Sequence, residues 1–215
     1  IYIQVLYYWQ TIYERDFLML YYFNSQSSLV TNTFSEQLNK MIMSLRLPNQ
    51  PIIIMCIGSD RSTGDSLGPV IGYKLKRASV KNVAVVGTLN SPVHAANLES
   101  TLKKIYAVYK DPFIIAIDAS LGKENHIGYI TLANGPLKPG LGVKKKLPEV
   151  GDIHITGIVN TAGIMDNILL QTTHLATIMT LADIIADAFI MLFNSDFYSH
   201  KQQEPLQSYQ PAQTL

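Results

Sequence analysis

An aspartate closing a glycine-rich loop and a second aspartate ending an apolar run are the residues of this chain best placed to do chemistry. The first, Asp65, lies in Gly58-Ser-Asp-Arg-Ser-Thr-Gly-Asp65-Ser-Leu-Gly-Pro69, and the second, Asp118, ends Ile114-Ile-Ala-Ile-Asp118. Apolar surroundings and a neighbouring carboxylate both hold a carboxyl protonated beyond its usual range. Two such groups across one site can therefore share a proton, or hold a divalent metal ion between them. Each has a plainer reading as well, Asp65 as the N-cap of the helix that follows and Asp118 as an acceptor for backbone donors at a strand end. The loop also invites a phosphate reading. It has neither Gly-x-Gly-x-x-Gly nor the Gly-Lys-Ser/Thr of a P-loop, which counts against nucleotide binding.

Weaker candidates gather around the same two segments. Ser59 and Asp60 stand at the start of the first loop, where they can contact a substrate, and Arg61 beside them can pair with an acid. His94 can polarise a carbonyl, join Asp65 and Asp118 around a metal, or cap a helix. Asn160 and Thr161 are expected to follow a strand and border the site as substrate contacts. His154 reads as a packed strand histidine, and Lys144 to Lys146 as a solvated turn. Cys56 falls inside an apolar run, where a buried thiol is inert.

The elements needed to position these residues are visible in the hydrophobic pattern. Apolar residues recur at helical spacing over 33–47 (Phe34, Leu38, Met41, Ile42, Leu45), over 66–78 (Leu67, Val70, Ile71, Leu75) and over 95–109. Short continuous apolar runs at 51–57, 82–88 and 112–118 suit strands covered on both faces. The alternation βαβαβ predicts an α/β fold with a mostly parallel sheet and helices on both faces. Sites in such sheets form beyond the carboxyl ends of the strands, which is where Asp65 and Asp118 fall. Residues 126–133 alternate as an added strand at an edge, 152–159 as a further strand, and 164–193 as one long helical region. A single α/β domain is expected over 33–195, with 1–32 a poorly defined N-terminal extension and 196–215 a disordered tail rich in Gln, Pro and Ser.

Composition narrows the classes. Of 215 residues, 47% are hydrophobic and 15% charged, enough for a large core with a lightly charged surface that hints at a homo-oligomer. A net charge of +1 offers no general attraction to nucleic acid or to an anionic membrane. The single cysteine permits no internal disulfide and suits a reducing, cytoplasmic setting. Residues 1–23 carry Glu14, Arg15 and Asp16, and 175–193 carry Asp183 and Asp187, so neither stretch is expected to be a signal or a membrane span.

The loop Cys56-Ile-Gly-Ser-Asp-Arg-Ser-Thr-Gly-Asp65-Ser-Leu-Gly-Pro69 resembles that of the spore germination protease, whose strand end leads into a Pro-Asp-Ala-Leu-Gly-Pro turn. Ile114-Ile-Ala-Ile-Asp118-Ala is similar to that family's second aspartate strand, and Lys138-Pro-Gly-Leu-Gly-Val to its Pro-Gly-x-Gly-Val stretch. With Pro92-Val-His-Ala-Ala-Asn-Leu98, the whole also resembles the YyaC-type sporulation proteins of spore-forming Firmicutes. The first loop also resembles that of hydrogenase maturation proteases, in which an acid at the Asp65 position helps hold nickel. The resemblance implies a three-layer α/β/α fold and a peptidase-like site using Asp65 and Asp118. It also implies a protein or peptide substrate, and work in the cytoplasm of sporulating cells or spores. Two departures count against nickel: Gly64 stands where the maturation proteases place a further acid, and Asn160 where they place a histidine. A protease-like fold kept as a regulatory or assembly protein, and a small-molecule amide hydrolase, are the competing expectations.

Overall fold

The computed structural model describes residues 18–139, 147–163 and 166–194. In chain order the elements are β1 (Leu20–Asn24), α1 (Val30–Leu45), β2 (Ile52–Cys56), α2 (Leu67–Arg77), β3 (Val83–Val86), α3 (Leu98–Val108), β4 (Phe113–Gly122), β5 (Tyr129–Asn134), β6 (Ile153–Thr161), α4 (Asp166–Gln171) and α5 (Leu175–Asn194). Short 3-10 turns at Gly64–Ser66 and Glu124–His126 complete them.

One sheet of six strands runs in the order β1-β5-β6-β4-β2-β3. The pairs β2 with β3, β2 with β4 and β4 with β6 are parallel, while β5 lies antiparallel to both β6 and β1. The α/β class with a mostly parallel sheet is thus as the pattern predicts. Strand alternation sorts the core into two layers. Ile52, Ile54, Phe113, Ile115, Ile117, Ile153 and Ile155 face α1, α2 and α5 in the larger layer. Ile53, Met55, Ile114 and Ala116 face α3 and the Leu137–Val150 bridge in the smaller one. β2 is buried along its whole length, as expected of a strand covered on both sides.

Five expectations are corrected. The strand at 126–133 begins at Tyr129 and is not an edge, because Leu20–Asn24 pairs outside it. That pairing strand lies in the segment 1–32, where the tyrosine-rich composition shows no clear period. Asp118 is not at the tip of its strand. Pairing with β2 ends at Cys56 and Ile117, but pairing with β6 carries β4 on to Gly122 across a register shift at Ser120 and Leu121. For the same reason Asn160 and Thr161 lie within β6 rather than after it. The region 164–193 is two helices, since Thr172 and Thr173 donate their hydroxyls to the carbonyls of Ile168 and Leu169 at 3.0 and 2.9 Å, closing the first helix locally. Helix α3 starts at Leu98 rather than 95 because Asn97 ties down the preceding turn, accepting from His94 N–H (2.8 Å) and donating to Pro92 C=O (3.0 Å). Lys144 to Lys146 and the segment 196–215 lie outside the described residues.

α5 is the one described helix long and apolar enough to cross a membrane. Here its Ile178, Leu181, Ile185, Phe189 and Phe193 are buried against α1 and α2. Asp183 on its outer side pairs with Lys74 of α2 at 2.6 Å.

Candidate active site

The site is built where β2 ends and its neighbours continue. Ile57 still donates its N–H to Ile117 O (2.7 Å), and Gly58 N–H donates to Val93 O (2.8 Å), so the chain leaves the sheet between β4 and the residues before His94. It then folds back on itself: Ser59 N–H donates to Asp65 O at 2.9 Å. Gly58 makes this return with φ of 140°, and a Cβ there would strike Asp65 O, so no other residue fits. The return brings Asp65, in the turn Gly64–Ser66, over the end of β4.

Asp65 does not act as a helix cap, since neither this turn nor α2 shows a side-chain cap bond. Its carboxyl is pushed up to about 6, chiefly by burial and against the backbone N–H of Ser59, which favours the charged form. Asp118 is 8% exposed, and one carboxylate oxygen accepts from Ala119 N–H at 2.8 Å. The backbone-acceptor reading of Asp118 is therefore met in part. Burial first and the charge of Asp65 second hold Asp118 well above the usual carboxylate range. The pair is electrostatically joined, and deeper burial favours the proton on Asp118. This is the arrangement of one neutral and one charged acid that proton transfer needs.

The other expected site residues divide. Ser59 is half-buried and Asp60 exposed on the same loop, where the Ser59 hydroxyl accepts from Arg61 N–H at 3.2 Å. His94 flanks the loop through the Ile57–Val93 bridge. Its Nδ1 accepts from Ala96 N–H at 3.3 Å, so one ring nitrogen serves the turn before α3. Asn160 is engaged within the protein. Its amide donates to Leu169 O (2.8 Å) and accepts from Thr161 N–H (2.8 Å), bracing β6 against α4. Thr161 ends β6, paired with Gly122 of β4. Among the non-candidates, His154 bonds Gly135 O through Nδ1 (2.9 Å), and burial pushes the Cys56 thiol up, leaving it an inert core group.

Two features escaped the sequence. The hydroxyls of Ser120, Thr156 and Thr131 form a chain at 3.0 and 2.7 Å across three strands, with Thr156 directly beside Asp118 in register. Only strand register could reveal it. Gly64 is also packed from behind, since a Cβ there would lie 2.7 Å from Leu170 O and 2.8 Å from the Thr173 hydroxyl. An acid at position 64 has no room.

That observation bears on a metal. Among the described residues no three His, Cys, Asp or Glu side chains converge. His94 does not complete a ligand set with the two aspartates, Gly64 excludes a further acid, and the Asn160 amide is spent on α4. The donor set does not fit the nickel of the maturation proteases.

Comparison with known proteins follows the same lines. Residues 22–188 match the family model described as Protein of unknown function (DUF1256). The chain belongs to this DUF1256 family. It is 46% identical over 158 residues to "Uncharacterized protein YyaC" of Bacillus subtilis (strain 168), covering 74% of this chain and 77% of that protein. In structure, this DUF1256 chain is similar to the NiFe hydrogenase maturation protease HycI from Thermococcus kodakarensis KOD1. The TM-score is 0.50 at 19% identity, over 74% of this chain and 99% of that one. At that identity the likeness is one of fold. It confirms the maturation-protease architecture expected from the loop at Asp65.

Proposed function

We propose that this protein is a peptidase that hydrolyses a peptide bond of a sporulation-programme protein with Asp65 and Asp118, without nickel, in the cytoplasm of the sporulating cell or spore. The observation that carries the reading is the electrostatically joined acid pair, one member held neutral and the other ionising at about 6. The maturation-protease fold and the kinship with YyaC support it, and the lone buried Cys56 agrees with a reducing compartment.

Ionised Asp65, the more accessible acid, takes a proton from water as the oxygen attacks the scissile carbonyl. Protonated Asp118 donates its hydrogen to the carbonyl oxygen as charge develops there. The proton on Asp65 then passes to the departing amine, Asp118 recovers its own from the collapsing intermediate, and the pair returns to its starting state. Ser59 and Asp60 on the first loop, and His94 beside it, are the groups proposed to hold the substrate chain.

Hydrolysis of candidate sporulation proteins by the purified chain should fall by at least about 100-fold in Asp65→Asn and in Asp118→Asn, each of which removes an acid/base group with little change of shape. Unchanged cleavage in both variants would refute the mechanism, and intact substrates with the wild-type chain would favour a protease-like regulatory protein.

A further inference from the structure

Strand β4 outruns its neighbour on one side. Its pairing with β2 stops at Cys56 and Ile117, while its ladder with β6 continues to Gly122. Ile57 N–H donates to Ile117 O, so the odd-numbered residues of β4 turn their backbone groups toward β2. Ala162 N–H donates to Gly122 O, so beyond the register shift the even-numbered ones still turn toward β6. Ala119 and Leu121 therefore aim their N–H and C=O groups at the place β2 has left. Ala119 N–H is met by the Asp118 carboxylate at 2.8 Å, where a longer ladder would have used the carbonyl of Ile57. Among the described residues nothing bonds Ala119 C=O or the N–H and C=O of Leu121 on this side. Asp65 and Leu121 are only half-buried, so solvent reaches the slot.

The two acids approach this slot from opposite sides of the sheet. Ile117 and Ala119 belong to the core layer of α1, α2 and α5, and Ala116 to that of α3. By alternation the Asp118 side chain leaves on the α3 side, and its bond to Ala119 N–H draws the carboxyl back to the strand edge. Asp65 comes from the other side. It follows Gly64, which lies against Leu170 of α4, and precedes Leu67, whose side chain lies against Gly157 beside Ala119.

We infer that the slot binds substrate as an extended segment of polypeptide, added beside β4 at Ala119 and Leu121 in line with β2. The inference rests on the peptidase reading and names its substrate class, an unfolded stretch of chain held first by its backbone. Two N–H groups of the segment donate to Ala119 and Leu121 C=O, and one of its carbonyls accepts from Leu121 N–H. The peptide planes of an added strand lie in the sheet, so their faces turn to its two sides. A nucleophile enters a carbonyl carbon through such a face, which is where Asp65 stands, while Asp118 at the strand edge meets a carbonyl oxygen turned to β4. Other occupants fit less well. A helix has no free backbone groups to offer along its length, and a small amide would leave Leu121 unpaired. A ladder of three residues is too short to carry a subunit interface, which buries about 1,200 Å² or more.

Peptides selected from a random dodecapeptide library on the Asp65→Asn chain, which should hold them uncut, provide the test. Resynthesised binders should lose at least about tenfold in affinity when N-methylated at either of two residues spaced i and i+2, and little at the residue between, because only alternate N–H groups face β4. The Leu121 amide should gain protection from hydrogen exchange when peptide is bound. Equal sensitivity to N-methylation at every position, sensitivity at none, an unprotected Leu121 amide, or recovery of no binder would each overturn the inference. Alternating sensitivity with Leu121 protected, but no cleavage by the wild-type chain, would keep the slot and remove the peptidase reading. Cleavage that needs both acids but ignores N-methylation would keep the peptidase reading and remove the slot.

Discussion

Asp65 is ionised at neutral pH at a cost to the fold. Its folded value of about 6 stands above the ordinary 3.8, so the folded chain holds a proton that the unfolded chain releases between those values. Stability contributed by the neutral form is complete below about 3.8 and is lost as pH rises through about 6. The shift corresponds to about 3 kcal/mol, or about 2 after allowing for residual solvent contact. Asp65→Asn should therefore stabilise the protein by about 2 kcal/mol at pH 8 and by little at pH 4. Urea unfolding at the two pH values measures this, and an equal gain at both would mean that the carboxyl is not held neutral by the fold. The types and order of the two acids were legible because each sits beside a conspicuous apolar run. Their coupling was expected from the shared strand-end location, but not the return through Gly58 that brings Asp65 over β4.

At the scale of elements, the link between β6 and α4 decides what Asn160 does. The bond from its amide to Leu169 O makes it a brace, so Asn160→Ala should cost about 1–2 kcal/mol of stability while leaving KM for a cleaved substrate nearly unchanged. Normal thermal stability with a raised KM would return Asn160 to the substrate contacts expected from the sequence. Strands β2 and β4 and helices α1 and α2 were readable because burial on one or both faces imposes a hydrophobic period. The end of β4 was not. Ala119 to Gly122 carry no strong strand signal, and only the ladder to β6 keeps them extended. β1 was hidden for a related reason, as its five residues alternate between core and solvent but nearly all are apolar or aromatic.

For the molecule as a whole, α5 closes the larger core layer. Phe189 is fully buried and stacks on Phe193 at 6.1 Å between the helical layer and the sheet. Phe189→Ala should cost about 3–5 kcal/mol by leaving a cavity that the surrounding helices cannot close. A loss under about 1 kcal/mol in chemical denaturation would mean that α5 is not part of the folded core.

The sequence by itself determined the fold class, the strands that lead into the site and the identity of the two acids, because hydrophobic period and loop chemistry are local properties of the chain. It also carried the departures at Gly64 and Asn160. Tertiary structure alone decided what those departures mean. Gly64 is small because Leu170 and Thr173 press on it, and the Asn160 amide ties β6 to α4 by joining the Thr173 hydroxyl at Leu169 O. Strand order, the hydroxyl chain beside Asp118 and the unpaired edge of β4 are likewise properties of register. Register is a relation between segments far apart in the chain, and no single segment encodes it.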